Sequence, residues 1–488
     1  MKTVLISTDD NEKGIGVRAL SSCLIRQGYD TAVVIMPTSQ KDYKDFYWDD
    51  LKKICKNAGL IGVSCMSHGV DKAMEIQGEL KKEVSAPIIV GGIHACLDPA
   101  SLIKSFALVC HGEGEDLIVE LAKRLYSNQK YLDLPGLWGK DGNSVIKNQS
   151  KPLRHNLNDY PLPDYDLSHQ FILEGNRLVP MKCISNHIAL NGFVITGSRG
   201  CNQQCAYCSS KKISDNFPWR SKTRYYSVDY FINHFKEVCK IYPTVKSFWV
   251  GDDDFFDKEF GYIEEFSKRY KSEVNKPFLI LIHPHTFSED KLKLLIDAGL
   301  VRIIMGIQSG SERVNRDIYN RSFPVSKIIE IANCLHKYPN VEICYDFIIM
   351  NPFEEKQDLI DTIQLIKKLP PPFSVFNNKL AFYPGTALFM KAHDVGLDVS
   401  KRIKHAGPDI GYRILKDENI QHKLFHFILL RMCGGVNRWR VGLMPRFLLS
   451  ESFINIYSFL DQKLTLATNM LVTIVSSLLY FFVRLRIR

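Results

Sequence analysis

No secretory leader follows Met1-Lys2-Thr3-Val4-Leu5, and the 13 cysteines make an odd number, so a disulfide framework is not expected. Most of these thiols, Cys23, Cys65 and Cys334 among them, sit in apolar runs, as core residues do. One close-set group stands apart: Cys201, Cys205 and Cys208. It lacks a fourth ligand nearby, since Ser209, Ser210, Lys211 and Lys212 follow it and the next histidine is His234. His187 lies upstream, across an apolar run. A structural zinc ion, which closes its shell with four ligands, therefore finds only three. Charge is missing from one 20-residue run, Leu464 to Val483. That length suffices to span a bilayer, but Thr465, Thr468, Asn469, Thr473, Ser476 and Ser477 weaken spanning. A helix in the membrane surface, or one packed on the fold, stays open.

What is present points to folded domains. The 488 residues are 45% hydrophobic and 24% charged, enough for two or three packed cores and too apolar for disorder. The net charge of +10 is uneven: from Lys423 onward nine basic residues face only Glu451 and Asp461, which accounts for +7 of it. The rest is nearly neutral. Nucleic acid is not expected as a partner. Because the tail charges alternate with apolar stretches, contact with an anionic membrane surface is the expectation there.

The fold class expected is α/β, in two parts. Residues 1–126 alternate short apolar runs (Val4–Ile6, Ala32–Ile35, Leu60–Val63, Pro87–Val90, Ala107–Val109) with helical stretches (Val17–Gln27, Asp71–Glu83, Asp116–Leu125). That is the pattern of a doubly wound, Rossmann-like domain, whose ligands bind at the carboxyl ends of the strands. Residues 127–190 form a connector with a hairpin at Asp141-Gly142 and an extended Asp159–Tyr165 link. Residues 191–400 repeat strand and helix six times, with strands near Phe193–Thr196, Lys246–Val250, Pro277–Leu281, Arg302–Met305, Cys344–Ile349 and Ser374–Leu380. Six units predict an open, partial (β/α)6 barrel with its chemistry at the strand ends. Residues 401–488 form a helical, basic C-terminal region.

Three thiols within eight residues, spaced C-x-x-x-C-x-x-C on a loop after an apolar run, can each hold one iron of a cubane and leave the fourth iron open. This segment, led by Arg199-Gly200, resembles the signature of the radical S-adenosylmethionine (radical SAM) enzymes. More of the barrel is similar to the subfamily with an N-terminal cobalamin-binding domain: Trp219-Arg220, Arg224 and Ser227; Phe248-Trp249-Val250-Gly251-Asp252-Asp253-Asp254-Phe255; Gly306-Ile307-Gln308-Ser309-Gly310-Ser311; Asn351–Glu355; and Tyr383-Pro384-Gly385-Thr386. Gln308 stands where that subfamily usually has Glu. The resemblance implies a 4Fe-4S cluster on Cys201, Cys205 and Cys208. It also implies S-adenosylmethionine on the open iron, with Gln308 and Ser309 at its methionyl end or ribose and Arg220 or Arg224 on its carboxylate. Asp252 to Asp254 are either site residues or solvated loop. His283 reads as a structural residue before Pro284, with substrate contact as the alternative.

In the first domain, Asp9 and Gly14 match the cobalamin fold's D-x-H-x-x-G, and Asn11 replaces the His. No imidazole from this loop can then reach cobalt. Ser64, Gly91 and Gly92 fall where that domain's cofactor segments lie, and His94 and His111 read as structural, with a place on the cofactor face as the alternative. The resemblance implies bound cobalamin, with a vestigial domain as the alternative. It further implies methylation of an unactivated carbon of a hydrophobic or natural-product substrate through a 5′-deoxyadenosyl radical. The alternatives are a cyclisation, rearrangement or oxidation without methyl transfer, and a non-catalytic metal-binding membrane adaptor. A methylthiotransferase is disfavoured, because Cys23, Cys55, Cys65, Cys96 and Cys110 are scattered rather than grouped as a second cluster would need. Expected partners are a small-molecule or lipid-like substrate and an electron donor such as flavodoxin or ferredoxin. The expected location is cytoplasmic, with peripheral membrane contact through the tail.

Overall fold

The computed structural model describes residues 2–8, 14–37, 47–183, 192–217 and 223–399. In chain order, β1 (Lys2–Ser7), β2 (Asp30–Ile35), β3 (Ala58–Ser64), β4 (Ile88–Gly91) and β5 (Leu108–Cys110) form the centre of the first sheet. They pair in parallel in the order β5-β4-β3-β1-β2. The order reverses between β1 and β3, and a doubly wound sheet has its ligand crevice at such a switch. Each central strand is a run of β-branched and aliphatic residues because both faces are covered. Leu5, Val33 and Leu60 face one layer of helices, and Val4, Ala32 and Ile61 face the other. The helices Ile15–Arg26, Val70–Leu80 and Glu115–Tyr126 lie within two or three residues of the expected ones.

The connector does not stand apart from this sheet. Its hairpin β6 (Leu137–Asp141) and β7 (Ser144–Lys147), turning at Gly142 with φ +57°, adds antiparallel strands beside β5. A second hairpin, β8 (Gln170–Glu174) and β9 (Arg177–Pro180), extends the opposite edge beyond β2. The sheet thus has nine strands. The Asp159–Tyr165 link is pinned between the domains. Buried Asp164 accepts from Ser21 Oγ at 2.6 Å on the first helix. Tyr165 Oη lies 2.7 Å from His234 Nε2 in the second domain.

The second domain contains β10 (Phe193–Ile195), the short pair β11 (Ser198–Arg199) and β12 (Arg224–Tyr225), then β13 (Phe248–Val250), β14 (Phe278–Ile282), β15 (Leu300–Gln308), β16 (Glu342–Ile349) and β17 (Ser374–Lys379). Six of these form one parallel sheet in sequence order, β10-β13-β14-β15-β16-β17. Alternation along the strands separates two faces. Phe193, Phe248, Phe278, Ile303 and Phe347 are buried under the helices. Val194, Trp249, Leu279, Gly306 and Asp346 point the other way and are half-buried, lining an open lumen. β15 runs further than expected and ends in Gln308 itself, with an irregularity between Gly306 and Gln308.

Residues 400–488 lie outside the described set, and with them the expected helical basic region, the Leu464–Val483 run and the membrane contact. Among the described residues no helix is long and apolar enough to cross a membrane.

Candidate active site

The cysteine loop hangs between the β11–β12 pair and the helix Ser209–Asn216. Backbone bonds sew it to later barrel segments: Ala206 N donates to Tyr319 O at 2.9 Å, and Leu388 N to Ala206 O at 3.0 Å. Cys205 is buried, and Cys201 and Cys208 are partly exposed. Burial pushes the Cys208 thiol up to about 11 and the Cys201 thiol higher still, while amides of Ser210 and Lys211 donate to Cys208 and that of Gln203 to Cys201. Burial alone does the same to core cysteines, but amide donors aimed at the sulfur suit one whose charge is shared with iron. Among the described residues no three His, Cys, Asp or Glu side chains gather around a single ion. A cubane, in which each sulfur holds its own iron, does not require that. Tyr207 packs edge-on against Tyr319 at 5.0 Å and walls off one side of the loop.

The end of β15 supplies the polar groups. Gln308 takes φ +70°, a left-handed turn unusual for a side chain of its size, and its amide nitrogen is bonded to Asp346. Its Oε1 is buried with no partner. Arg321 Nη2 donates to Gly306 O at 2.5 Å, its Nη1 lies 3.4 Å from Cys205 Sγ, and its Nε is buried without a partner. A Cβ on Gly306 would come within 2.7 Å of Gln308 Nε2 and 3.7 Å of Arg321 Nη2. An acceptor and a donor left unmade in a buried place cost stability unless a ligand completes them. Their pairing fits an ammonium and a carboxylate, the two ends of an amino-acid group. Asp346 also accepts from Asn378, and burial raises its carboxyl to about 6. Arg321 was not singled out from the sequence. It is one of several arginines after the strand, and Arg313 and Arg316 differ from it only in pointing elsewhere.

Several expected site residues are committed to other work. Ser309 is buried among Thr362 Oγ1 at 3.3 Å, Glu354 Oε1 at 3.4 Å and the Ser311 amide at 3.2 Å, so it braces the strand end. Arg224 is bonded to both oxygens of Glu113 and to Arg154 O, and is not aimed at the strand-end site. Asp252 holds buried Lys258 and the Gly197 amide, so it is structural. Asp254 accepts from Thr286 at 2.9 Å, and burial lifts it to about 6. Of the three, only Asp253 is exposed. His283 accepts from the His285 amide through Nδ1 at 3.1 Å and keeps a buried, unpartnered Nε2. Burial, with Arg321 nearby, holds it neutral, down to about 2. Arg220, Asp9 and Asn11 fall outside the described residues.

In the first domain Ser64, Gly91 and Gly92 do come together. They line a cavity of about 370 Å³ at the carboxyl ends of β3, β4 and β5. It runs inward past Gly16 and Leu20 on one helix and Leu117 and Ile118 on another, and Thr196, Arg199, Phe217 and Tyr226 close it from the barrel side. The glycines serve the protein as much as any ligand. Gly92 has φ +95°, and a Cβ there would sit 2.7 Å from Cys65 O. Gly14, with φ +45°, opens the helix Ile15–Arg26 beside Ile35. His94 bonds Ser67 and Ser101 through its two nitrogens, and His111 packs between Trp138 and Phe217, so both are structural. Cys65, Cys96 and Cys110, scattered in sequence, line this one cavity, a grouping that spacing concealed.

Comparison with known proteins agrees with this division. The B12 binding domain family matches residues 1–122 and the radical SAM superfamily matches residues 195–366. An uncharacterized methyltransferase of Pyrococcus horikoshii is 24% identical over 383 residues, 77% of either chain. A tRNA-2-methylthio-N(6)-dimethylallyladenosine synthase of Tropheryma whipplei is 29% identical over 140 residues, 28% of this chain and 29% of that one. Among solved structures, the radical S-adenosylmethionine methyltransferase TsrM from Kitasatospora setae, with cobalamin and a [4Fe-4S] cluster bound, superposes with a TM-score of 0.64 at 13% identity, covering 81% of this chain and 75% of that one. The cobalamin-dependent S-adenosylmethionine radical enzyme OxsB, with aqua-cobalamin and S-adenosylmethionine bound, gives 0.61 at 17% identity, covering 83% and 56%.

Proposed function

The chain is a radical SAM enzyme with a B12-binding domain ahead of its barrel, and from that premise we propose that it is a cobalamin-dependent C-methyltransferase acting on a carbon without an activating group. The observation that carries this reading is the shared cavity. The glycine-edged crevice of the first domain is closed by residues of the barrel that bears the cysteine loop, so a corrinoid held there would face the barrel mouth. When bound, the cluster supplies the electron that splits S-adenosylmethionine, and cobalamin supplies a methyl carrier.

The chain's own residues bind, orient and exclude water. Cys201, Cys205 and Cys208 would hold the cluster. Gln308 Oε1 would accept from the methionyl ammonium of S-adenosylmethionine, and Arg321 Nε would donate to its carboxylate, on side chains whose Nε2 and Nη2 lie beside Gly306. Gly306 keeps that corner free of a side chain. Ser64, Gly91 and Gly92 would border the corrinoid, whose nucleotide tail would enter the cleft beside Gly16 and Leu117. The lumen face, with Leu279 and Ile304 as apolar wall and Asp346 as carboxyl, would receive the substrate. A site fixed on strand ends holds reacting groups in register, and much of such a rate enhancement comes from that positioning.

The test is anaerobic reconstitution with iron, sulfide and hydroxocobalamin, followed by reduction with S-adenosylmethionine and candidate substrates. Both 5′-deoxyadenosine and S-adenosylhomocysteine are expected, with a product heavier by one methylene. Deoxyadenosine alone would overturn methyl transfer and favour a cyclisation, rearrangement or oxidation.

A further inference from the structure

The cobalamin cavity and the cysteine loop share a wall. Glu113 and Glu115 sit in the Gly112–Glu115 turn that lines the cavity after β5, and Arg199 lines it from the barrel side, two residues before Cys201. Arg199 Nη2 is 2.6 Å from Glu115 and its Nη1 3.6 Å from Glu113. Arg224, paired with Arg199 across the two-stranded β11–β12 ladder, bonds both oxygens of the same Glu113. Two guanidinium and two carboxylate groups thus form a quartet of no net charge, with Glu115 and Arg224 buried and Glu113 and Arg199 half-buried. The connector braces it: Arg154 O accepts from Arg224 Nη1 at 2.6 Å, and the Tyr160 ring lies 5.3 Å beneath Arg199. From there the path to the cluster ligands is short, since Asn202 accepts from the Thr223 amide beside β12 at 3.2 Å.

Ion pairs with this little access to water hold best when every partner is in place, because a partly desolvated charge left alone is costlier than the pair. The turn that edges the corrinoid and the strand that delivers the first cluster cysteine therefore cannot shift independently. We propose that Glu113 and Glu115 are positioning residues: they tie the rim of the cobalamin cavity to the cysteine hairpin, so that filling the cavity tightens the cluster loop. The inference rests on cobalamin binding and not on the proposed methyl transfer, and its test uses neither substrate nor turnover.

The full-length chain is reconstituted with cluster, with and without hydroxocobalamin. Loss of cluster iron to a ferrous chelator is then followed by absorbance. In the unaltered protein, hydroxocobalamin should slow iron loss about fivefold or more, the lower end of ordinary coupling between sites. In Glu113→Gln the corrinoid should still co-purify by its absorbance, but the slowing should fall to less than about twofold. The proposal is overturned if the unaltered protein shows no slowing, or if E113Q with bound corrinoid keeps all of it. Should E113Q fail to fold or to hold corrinoid, Arg224→Lys decides. That position is outside the cavity wall, and lysine keeps the charge while losing the two-pronged contact. A reduced cobalamin response supports the tie, and a full response refutes it.

Discussion

The cysteine loop and the glycine-edged cavity of the first domain are built in opposite ways. The loop draws its three sulfurs from eight consecutive residues, so the spacing of one segment carries most of its chemistry. The cavity is assembled from β3, β4, the Gly112–Glu115 turn, two helices and the barrel, with wall residues as far apart as Leu5 and His234. A local site tolerates distant changes but is lost with any ligand. A distributed site spreads its dependence over many packing contacts, and no single side chain is expected to abolish it.

The sharpest way to break this contrast is Cys205→Ala. Deoxyadenosine formation should disappear and iron content fall, while hydroxocobalamin still binds, less tightly by the factor that couples the two sites. Iron and sulfide analysis beside corrinoid absorbance reads both, and loss of corrinoid along with iron would mean that the two sites are not separate in this sense.

Next in size is Gly92→Ala. The position has φ +95° and ψ −171°, a region open almost only to glycine, and the added methyl group would press on the Cys65 backbone. The strain should lower stability by about 1–3 kcal/mol in urea unfolding and weaken corrinoid retention. Cluster iron after reconstitution without hydroxocobalamin should be unchanged, which sharpens the comparison from the other side.

Gln308→Leu keeps the bulk but removes the unpartnered Oε1 together with the Nε2 bond to Asp346. The S-adenosylmethionine concentration for half-maximal deoxyadenosine formation should rise about tenfold, as expected for a lost hydrogen bond to a charged group. Corrinoid retention should not change. An unaltered concentration dependence would remove Gln308 from the site.

The smallest expected effect is a pH slope. Burial, reinforced by the nearby Asp358 charge, raises the Glu354 carboxyl from 4.5 to about 8. The folded state therefore holds a proton that the unfolded state releases, and stability from this group falls as pH rises from 4.5 to about 8. Unfolding measured at pH values across that window should decline more steeply in the unaltered protein than in Glu354→Gln. Parallel slopes would show that Glu354 is ionised or solvated.

The same contrast explains what could be read in advance. The parallel strands of both domains were legible because strands covered on two faces leave unbroken runs such as Ala32–Ile35 and Phe278–Ile282. The second hairpin of the connector was missed. Gln170–Glu174 mixes polar and apolar residues and becomes a strand by pairing with β2 on one side and β9 on the other. Gln308 was expected at a strand end from the resemblance of Gly306–Ser311 to the subfamily's segment, and β15 ends there. Arg224 was assigned to the cofactor on the motif alone, and the structure commits it to Glu113, a residue 111 positions away.

The sequence by itself determined the close spacing of Cys201, Cys205 and Cys208, the order of the two domains and the six-unit barrel. Spacing and periodicity are local properties, written into neighbouring residues. Only the tertiary structure decided which arginine meets which carboxylate, that Arg321 lies against Cys205, and that three scattered cysteines line one cavity. Those are contacts between segments brought together by burying apolar faces. Such burial is non-directional, so it leaves no local mark of which polar groups it will place side by side.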